Sequence, residues 1–341
     1  MRAGIYNPYL DTLGGGERYT LAVAATLVSV GYDVDLESKD PQILAKLAQR
    51  FGVDTRGMRV VESINRGSGY EVCFWLSDGS IPRLMARNNI LHFQRPFWNV
   101  DGKSLLNRMK FFRINSVVVN SKFTKKWIDR EFPKESIVIY PPVDVAAFRP
   151  KKKENIILYV GRFSRLEQSK RQDILIESFK KLYDRGLKEW KLVLAGGVEV
   201  GVGDWLSQLK ESAKTYPIKI MESPDFGELK QLYGKTKIFW SAAGFGVDEN
   251  RQPNKVEHFG ISVVEAMAAG AVPIAYAAGG HKEIIEDGKN GYLWTKESDF
   301  RGFTRKLAND PKLMKQLARQ AQSDAQKYGY ERFKKEFFAL L

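Results

Sequence analysis

The residues of this sequence best suited to chemistry lie between Glu257 and Gly270. Two carboxylates, Glu257 and Glu265, stand eight positions apart, with Gly260 between them and a run of small residues behind. Ser262 followed three residues later by Glu265 has the form of a capping box, which predicts a helix opening at that point. Glu257 then falls in the loop leading in, and Glu265 in the first turn. The amides of Phe259, Gly260 and Ile261 would point outward with the positive end of the helix dipole behind them, an arrangement that holds anions. A diphosphate on those amides would leave the two acids placed to accept hydroxyl groups on either side. The plainer reading is that Glu265 only closes the capping box.

Three other groups could join such a site. Gly161 and Arg162 follow the apolar run Asn155–Val160, and Lys170 and Arg171 precede a helical pattern at Ile174, Leu175, Ile176 and Phe179. Strand, glycine turn, cations and helix in that order suit a pyrophosphate, although exposed cations are ordinarily just solvated. Arg165, Lys170 and Arg171 are alternatives for the second cation. The Gly14-Gly15-Gly16 turn opens an earlier helix and would let backbone approach a phosphate or sugar, but it lacks the G-x-G-x-x-G spacing of dinucleotide binders. His92 closes the apolar run Ile90–Phe93. The carboxyl ends of parallel strands are where α/β sheets bind ligands, so His92 is a candidate there and otherwise a structural histidine. His92, His258 and His281 are too widely spaced for a metal site, and a single cysteine, Cys73 in an apolar run, excludes a disulfide framework. No metal is expected.

The elements that must carry these residues follow from patterning. A chain of 341 residues, 43% hydrophobic and 28% charged, predicts two globular domains. Strand-like segments at 3–6, 33–37, 58–62, 71–76, 89–93, 116–120 and 137–140 alternate with helical patterns, which predicts a doubly wound parallel sheet. The same alternation resumes at 155–160, 191–195, 217–221, 237–241 and 272–275. Between the two series, the proline-rich, charged stretch from Pro141 to Glu154 predicts a linker. The expected domains are 1–145 and 146–325, with a closing helix over 326–341 packing back on the first. A polar insertion at 244–256 is either a gate beside the acids or a passive excursion.

The formal net charge is +14, spread over the chain: residues 1–150 hold 21 Lys and Arg against 15 Asp and Glu, the remainder 33 against 25. Polyphosphate substrates, nucleic acid and an anionic membrane surface are all compatible with that excess. No nucleic-acid-binding motif is present, so nucleic acid is not an expected partner. From Gly102 to Ile128 there is no acidic residue. Within it, Lys103–Arg113 predicts a basic helix with Leu105, Leu106, Met109 and Phe112 on one stripe. That stripe either packs on the sheet or lies in a membrane interface. Neither a signal peptide nor a spanning apolar run is visible, which makes the cytoplasm the expected location, with peripheral attachment at the inner face of the membrane as an option.

The run Glu257-His258-Phe259-Gly260 followed by Val264-Glu265-Ala266-Met267-Ala268-Ala269-Gly270 resembles the E-x7-E signature of glycosyltransferase family 4, retaining enzymes of the GT-B fold. Gly14–Glu17 is similar to that family's GGxE loop, Tyr140–Asp144 to its hinge, and Gly279–Ile284 to its G-x-x-E-I turn. The resemblance spans nearly the whole chain. It implies two Rossmann-like domains facing an interdomain cleft, the C-terminal one binding a nucleoside-diphosphate sugar, with transfer of a hexose-type sugar to a glycan or lipid-linked acceptor. It further implies retention of configuration, no metal and no other cofactor. The roles it assigns are catalytic for His92, Glu257, Arg162 and Lys170, and donor-binding for Gly15, Gly16, Phe259, Gly260, Ile261 and Glu265. Glu257 would hold donor-sugar hydroxyls, Glu265 the ribose hydroxyls, and His92 the sugar beside the reacting centre. The alternatives are a non-catalytic protein that binds polyanions or a membrane surface, and a GT-B epimerase or phosphorylase.

Overall fold

The computed structural model describes residues 1–12, 14–164 and 170–341. It divides into two compact units, Met1–Pro142 with Tyr330–Leu341, and Val143–Gly329.

In the first unit, β1 (Arg2–Tyr6), β2 (Asp33–Glu37), β3 (Met58–Val61), β4 (Val72–Leu76), β5 (Asn88–Phe93), β6 (Ser116–Val119) and β7 (Ser136–Val138) form one sheet. Its order is β3-β2-β1-β4-β5-β6-β7, and all its pairs are parallel. Parallel sheets are covered on both faces, which is why the runs Val72–Leu76 and Ser116–Val119 are apolar almost throughout instead of alternating. The core on one face joins Ile5, Tyr19, Phe74, Ile90 and Val118 to Phe333 and Phe337 of the closing helix Tyr330–Phe338.

The second unit repeats the plan with β8 (Ile156–Val160), β9 (Lys191–Gly196), β10 (Ile218–Glu222), β11 (Ile238–Ser241), β12 (Val272–Tyr276) and β13 (Tyr292–Trp294). The order is β10-β9-β8-β11-β12-β13, again parallel. Trp240, Trp294 and Phe300 centre its core, with Phe300 4.5 Å from each indole. Burying side chains of this size contributes about 3 kcal/mol apiece before chain entropy is counted.

In both sheets the strand order reverses beside the first strand of the unit, between β1 and β4 and between β8 and β11. The crevice outside the carboxyl ends at such a switch point is where doubly wound sheets take ligands. The glycine turns after β1 and β8 are therefore placed by topology.

The helix Leu105–Phe111 departs from the simpler of its two readings. Its apolar stripe does not pack on the sheet: Leu105, Leu106, Met109 and Phe112 are 78%, 64%, 59% and 89% exposed. Phe111 is the side chain that anchors it to the core, beside Phe132. No helix among the described residues is long and apolar enough to cross a membrane.

Candidate functional site

Gly161 and Arg162 follow β8 directly, at the switch point of the second unit. The Gly161 amide donates to Ala195 O at 3.0 Å and the Phe163 amide to Gly197 O at 2.8 Å, so pairing with the β9 side continues past the strand end. A Cβ on Gly196 would lie 2.0 Å from Gly161 O, which is why that position takes glycine. Arg162 holds its carbonyl to Gln172 Nε2 at 2.9 Å and leaves its side chain exposed. A guanidinium fixed at its root and free at its tip is suited to a phosphate.

Lys170 and Glu257, far apart in sequence, meet: Lys170 Nζ donates to Glu257 Oε2 at 2.8 Å, with 15% and 20% of the two side chains exposed. Burial pushes the Glu257 carboxyl up, but the Lys170 ammonium and the nearby His281 outweigh it and hold the pKa at about 2. Glu257 is thus a carboxylate, an acceptor of hydroxyl hydrogen bonds and not an acid. Beneath it lies Tyr159, whose buried hydroxyl has no partner among the described residues. Burial raises the Tyr159 pKa, the Glu257 charge raises it further and Arg162 opposes this, so all three groups share one electrostatic neighbourhood. Arg171, one of the alternatives for the second cation, is committed elsewhere. It pairs with Asp173 at 3.0 Å, donates to Phe245 O at 3.0 Å and lies over the Phe245 ring. Arg165 lies outside the described residues.

The helix expected after Glu257 runs Ile261–Ala268, and its cap differs from the sequence reading. Gly260, with φ of 113°, occupies the cap position, so Ser262 is the second helical residue and closes no capping box. A left-handed turn at Gly260 brings the chain into the helix two residues sooner than a serine cap would. Among the described residues, the amides of Gly260 and Ile261 donate to no acceptor of the protein. Phe259 is buried against Tyr328. Glu265 falls in the second turn instead of the first; it is 7% exposed and accepts the Tyr233 hydroxyl at 2.8 Å.

The turn at 279–280 and the polar insertion hold this loop in place. Gly280 N donates to Glu257 O at 2.7 Å, and a Cβ on Gly280 would fall 2.4 Å from Phe259 Cα. A Cβ on Gly279 would fall 2.0 Å from Glu257 O. Glu249, in the polar insertion, accepts the Gly279 amide at 2.7 Å and pairs with Lys282, which ties the insertion to the same turn. His281 is fully buried, bonded through Nδ1 to Tyr276 O at 2.9 Å.

In the first unit, Gly14 caps the helix Gly15–Ser29, and Glu17 Oε2 accepts the Gly14 amide at 2.6 Å. Gly16 lets the Gln94 side chain lie close, since a Cβ there would fall 2.6 Å from Gln94 Oε1 and push that side chain aside. Gln94 Nε2 donates to Gly16 O at 3.2 Å, which makes Gln94 the polar side chain that reaches this turn from the end of β5. His92, the residue that the sequence offers as a candidate, lies two residues earlier, within β5. His92 is 0% exposed, stacked on Tyr19 at 4.2 Å, with Nδ1 at 3.1 Å from Val118 O. Burial drops its pKa to about 3, so the ring is neutral. The ring is enclosed by protein, and its Nε2 has no hydrogen-bond partner among the described residues.

Among the described residues no cluster of three or more His, Cys, Asp or Glu is arranged to hold a metal ion.

A family model described as glycosyl transferases group 1 matches residues 143–324, more than half of the chain. Two relatives are a GDP-Man:Man(3)GlcNAc(2)-PP-Dol alpha-1,2-mannosyltransferase of Dictyostelium discoideum, 26% identical over 66% of this chain and 46% of its own, and an alpha-1,3/1,6-mannosyltransferase of Schizosaccharomyces pombe, 28% identical over 64% and 47%. The chain spans about half the length of these curated relatives. Among solved structures, Anabaena HepE in complex with UDP superposes with a TM-score of 0.76 at 17% identity, over 99% of this chain and 98% of that one. A sucrose-phosphate synthase from Thermosynechococcus elongatus gives 0.74 at 16%, over 99% and 97%. These neighbours show the GT-B fold with its two Rossmann-like units, and the family match shows that the chain belongs to the glycosyl transferases group 1 family.

Proposed function

We propose that this protein moves a hexose-type sugar from a nucleoside-diphosphate sugar to a glycan or lipid-linked acceptor, with retention of configuration and without a bound metal, in the manner of glycosyltransferase family 4. The observation that carries the reading is the Lys170–Glu257 pair beside the open amides of Gly260 and Ile261, with Arg162 at the neighbouring strand end. The relative whose name carries GDP-Man and the neighbour bound to UDP support a nucleotide-sugar as donor.

As the bond from the anomeric carbon to the diphosphate oxygen breaks, negative charge builds on the departing phosphate. Arg162, Lys170 and the two amides are positioned to take up that charge by fixed electrostatics, the largest single contribution in many transferases. Glu257, kept ionised by Lys170, accepts hydroxyls of the donor sugar. Glu265 is assigned the ribose hydroxyls, and the backbone at Phe259 shapes the loop. The acceptor oxygen attacks the same face that the phosphate leaves, and its proton passes to the departing phosphate oxygen. In the first unit, the Gly15–Gly16 turn is assigned to a phosphate or sugar group.

The test is a thermal-shift panel of UDP, GDP, ADP and their sugars, with and without EDTA, followed by product analysis of the anomeric centre. One diphosphate should raise Tm by several degrees, as expected for a ligand well above its dissociation constant. EDTA should leave that shift and the turnover unchanged. Stabilisation that disappears with EDTA, or an inverted product, would overturn the reading.

A further inference from the structure

We infer that the helix Leu105–Phe111 docks this protein on an anionic lipid bilayer. At about 100° of rotation per residue, Phe112, Leu105, Met109 and Leu106 share an arc of roughly 120°. Arg108 falls on one border of that arc and Lys110 on the other, while Phe111 points the opposite way, into the core. All four apolar side chains of the arc are exposed. An apolar strip of this density is unusual on a soluble surface and marks a contact.

The charges say what the contact is. Lys103, Arg108, Lys110 and Arg113 surround the strip, and among the described residues none of them pairs with a carboxylate; Arg108 and Arg113 donate instead to the carbonyls of Lys103 and Leu84. The link to Leu84 extends the surface to Arg83, Met85 and Arg87, which are exposed on that segment. No acid occurs from residue 102 to 128, so the helix carries no carboxylate of its own. A protein groove would need acids and an apolar floor in matching register. An anionic bilayer supplies both without register, taking apolar side chains below the headgroups and cations among the phosphates. Seven helical residues are too few to span, and the strip is shaped to lie flat.

The experiment is flotation of the full chain with phosphatidylcholine vesicles and with vesicles containing phosphatidylglycerol. Binding is expected to the second and to be weak to the first, and to fall as salt is raised. Arg108→Gln/Lys110→Gln should weaken binding by roughly fivefold for each cation removed. Leu106→Ser/Phe112→Ser should weaken it by about tenfold or more, since the apolar contribution is lost. Leu106, Arg108 and Phe112 are exposed and Lys110 partly so, and circular dichroism and nucleotide-induced thermal shifts should match the unmodified chain. A label on Phe112→Cys should shift to the blue with anionic vesicles; Cys73 is buried and stays unlabelled. Equal binding to neutral vesicles, or binding indifferent to both double variants, overturns the inference. So does a self-association in the ultracentrifuge, or an affinity for single-stranded oligonucleotide, that the Leu106→Ser/Phe112→Ser change abolishes while vesicle binding persists.

Discussion

Lys170 Nζ and Glu257 Oε2 stand 2.8 Å apart across 87 positions of sequence, both largely covered by the second unit. The pair fixes the ionisation of Glu257, three residues ahead of the Gly260 cap of the helix Ile261–Ala268. It also carries a cost, because two charges have left most of their water.

That cost makes the pair testable as a unit. Lys170→Met alone strands a carboxylate and should destabilise the protein by up to about 3 kcal/mol in urea denaturation. Lys170→Met/Glu257→Gln should recover a large part of that loss, because no unpaired charge remains. Sugar transfer should be lost in both. If the double variant is as unstable as the single one, the two residues are not coupled in the folded protein.

Arg162 should separate binding from folding. Its side chain is exposed, so Arg162→Ala should change stability by less than about 0.5 kcal/mol. Removing a preorganised charge from the leaving group should lower kcat by roughly 100- to 1,000-fold and shrink the diphosphate-induced thermal shift. An Arg162→Ala enzyme that turns over normally would falsify the assignment of this cation.

Gly280 tests whether the 279–280 turn sets the Glu257 loop. Alanine there would put Cβ 2.4–2.6 Å from the Phe259 backbone, where nothing flexible can yield. Gly280→Ala should therefore abolish the diphosphate shift and lower Tm. Gly288→Ala is the control. Gly288 has a positive φ, which Gly280 does not, and open space surrounds it, so alanine should cost about 1 kcal/mol of backbone strain and leave nucleotide binding intact. Equal effects of the two would deny the turn its positioning role.

Strands and the glycine turns at their carboxyl ends were legible because buried parallel strands are apolar runs and glycine marks close approach, as at Gly16 and Gly196. Three features were not, each for a local reason. The alternation of a strand tells inside from outside only when one face is wet. Both faces of β5 are covered, so the position of His92 gave no hint that Gln94 would be the side chain to reach Gly16. Helical periodicity at 105–112 located a stripe without saying whether anything covered it. At the central helix, the Ser262 and Glu265 spacing suited a capping box, but Gly260 could adopt a left-handed turn and started the helix earlier. The Lys170–Glu257 contact was beyond pattern reading altogether, since no local rule links residues so far apart.

The cap itself can be weighed. A serine N-cap replaced by alanine typically costs about 1 kcal/mol. Ser262 is inside the helix, where alanine is the better former, so Ser262→Ala should be neutral or slightly stabilising in urea denaturation. Gly260→Ala, forced to φ near 113° with Ile284 Cδ1 3.3 Å from the new Cβ, should destabilise by at least 1–2 kcal/mol. A loss of about 1 kcal/mol in Ser262→Ala would return the cap to serine.

His92 offers the sharpest pH signature. Its folded pKa is about 3 against an ordinary 6.5, because burial disfavours the charged ring. Below pH 6.5 the unfolded chain therefore takes up a proton that the folded chain refuses, and stability falls as pH drops from 6.5 toward 3. The slope for one such group is about 1.4 kcal/mol per pH unit well below 6.5. His281, also lowered by burial, adds to the loss in the same window, whereas Glu257 begins to contribute only below about 4.5, its ordinary value. Between pH 6.5 and 4.5, His92→Phe keeps an aromatic ring against Tyr19 and Phe74 and removes the titrating group, so its stability should decline less steeply than that of the unmodified chain, by about 2.3 kcal/mol over the window. Urea midpoints measured across that range decide it. Coinciding slopes would mean that the folded protein protonates this ring as readily as the unfolded chain does. His92 would then reach solvent after all, and the sugar contact implied for it by the family resemblance would again be open to it.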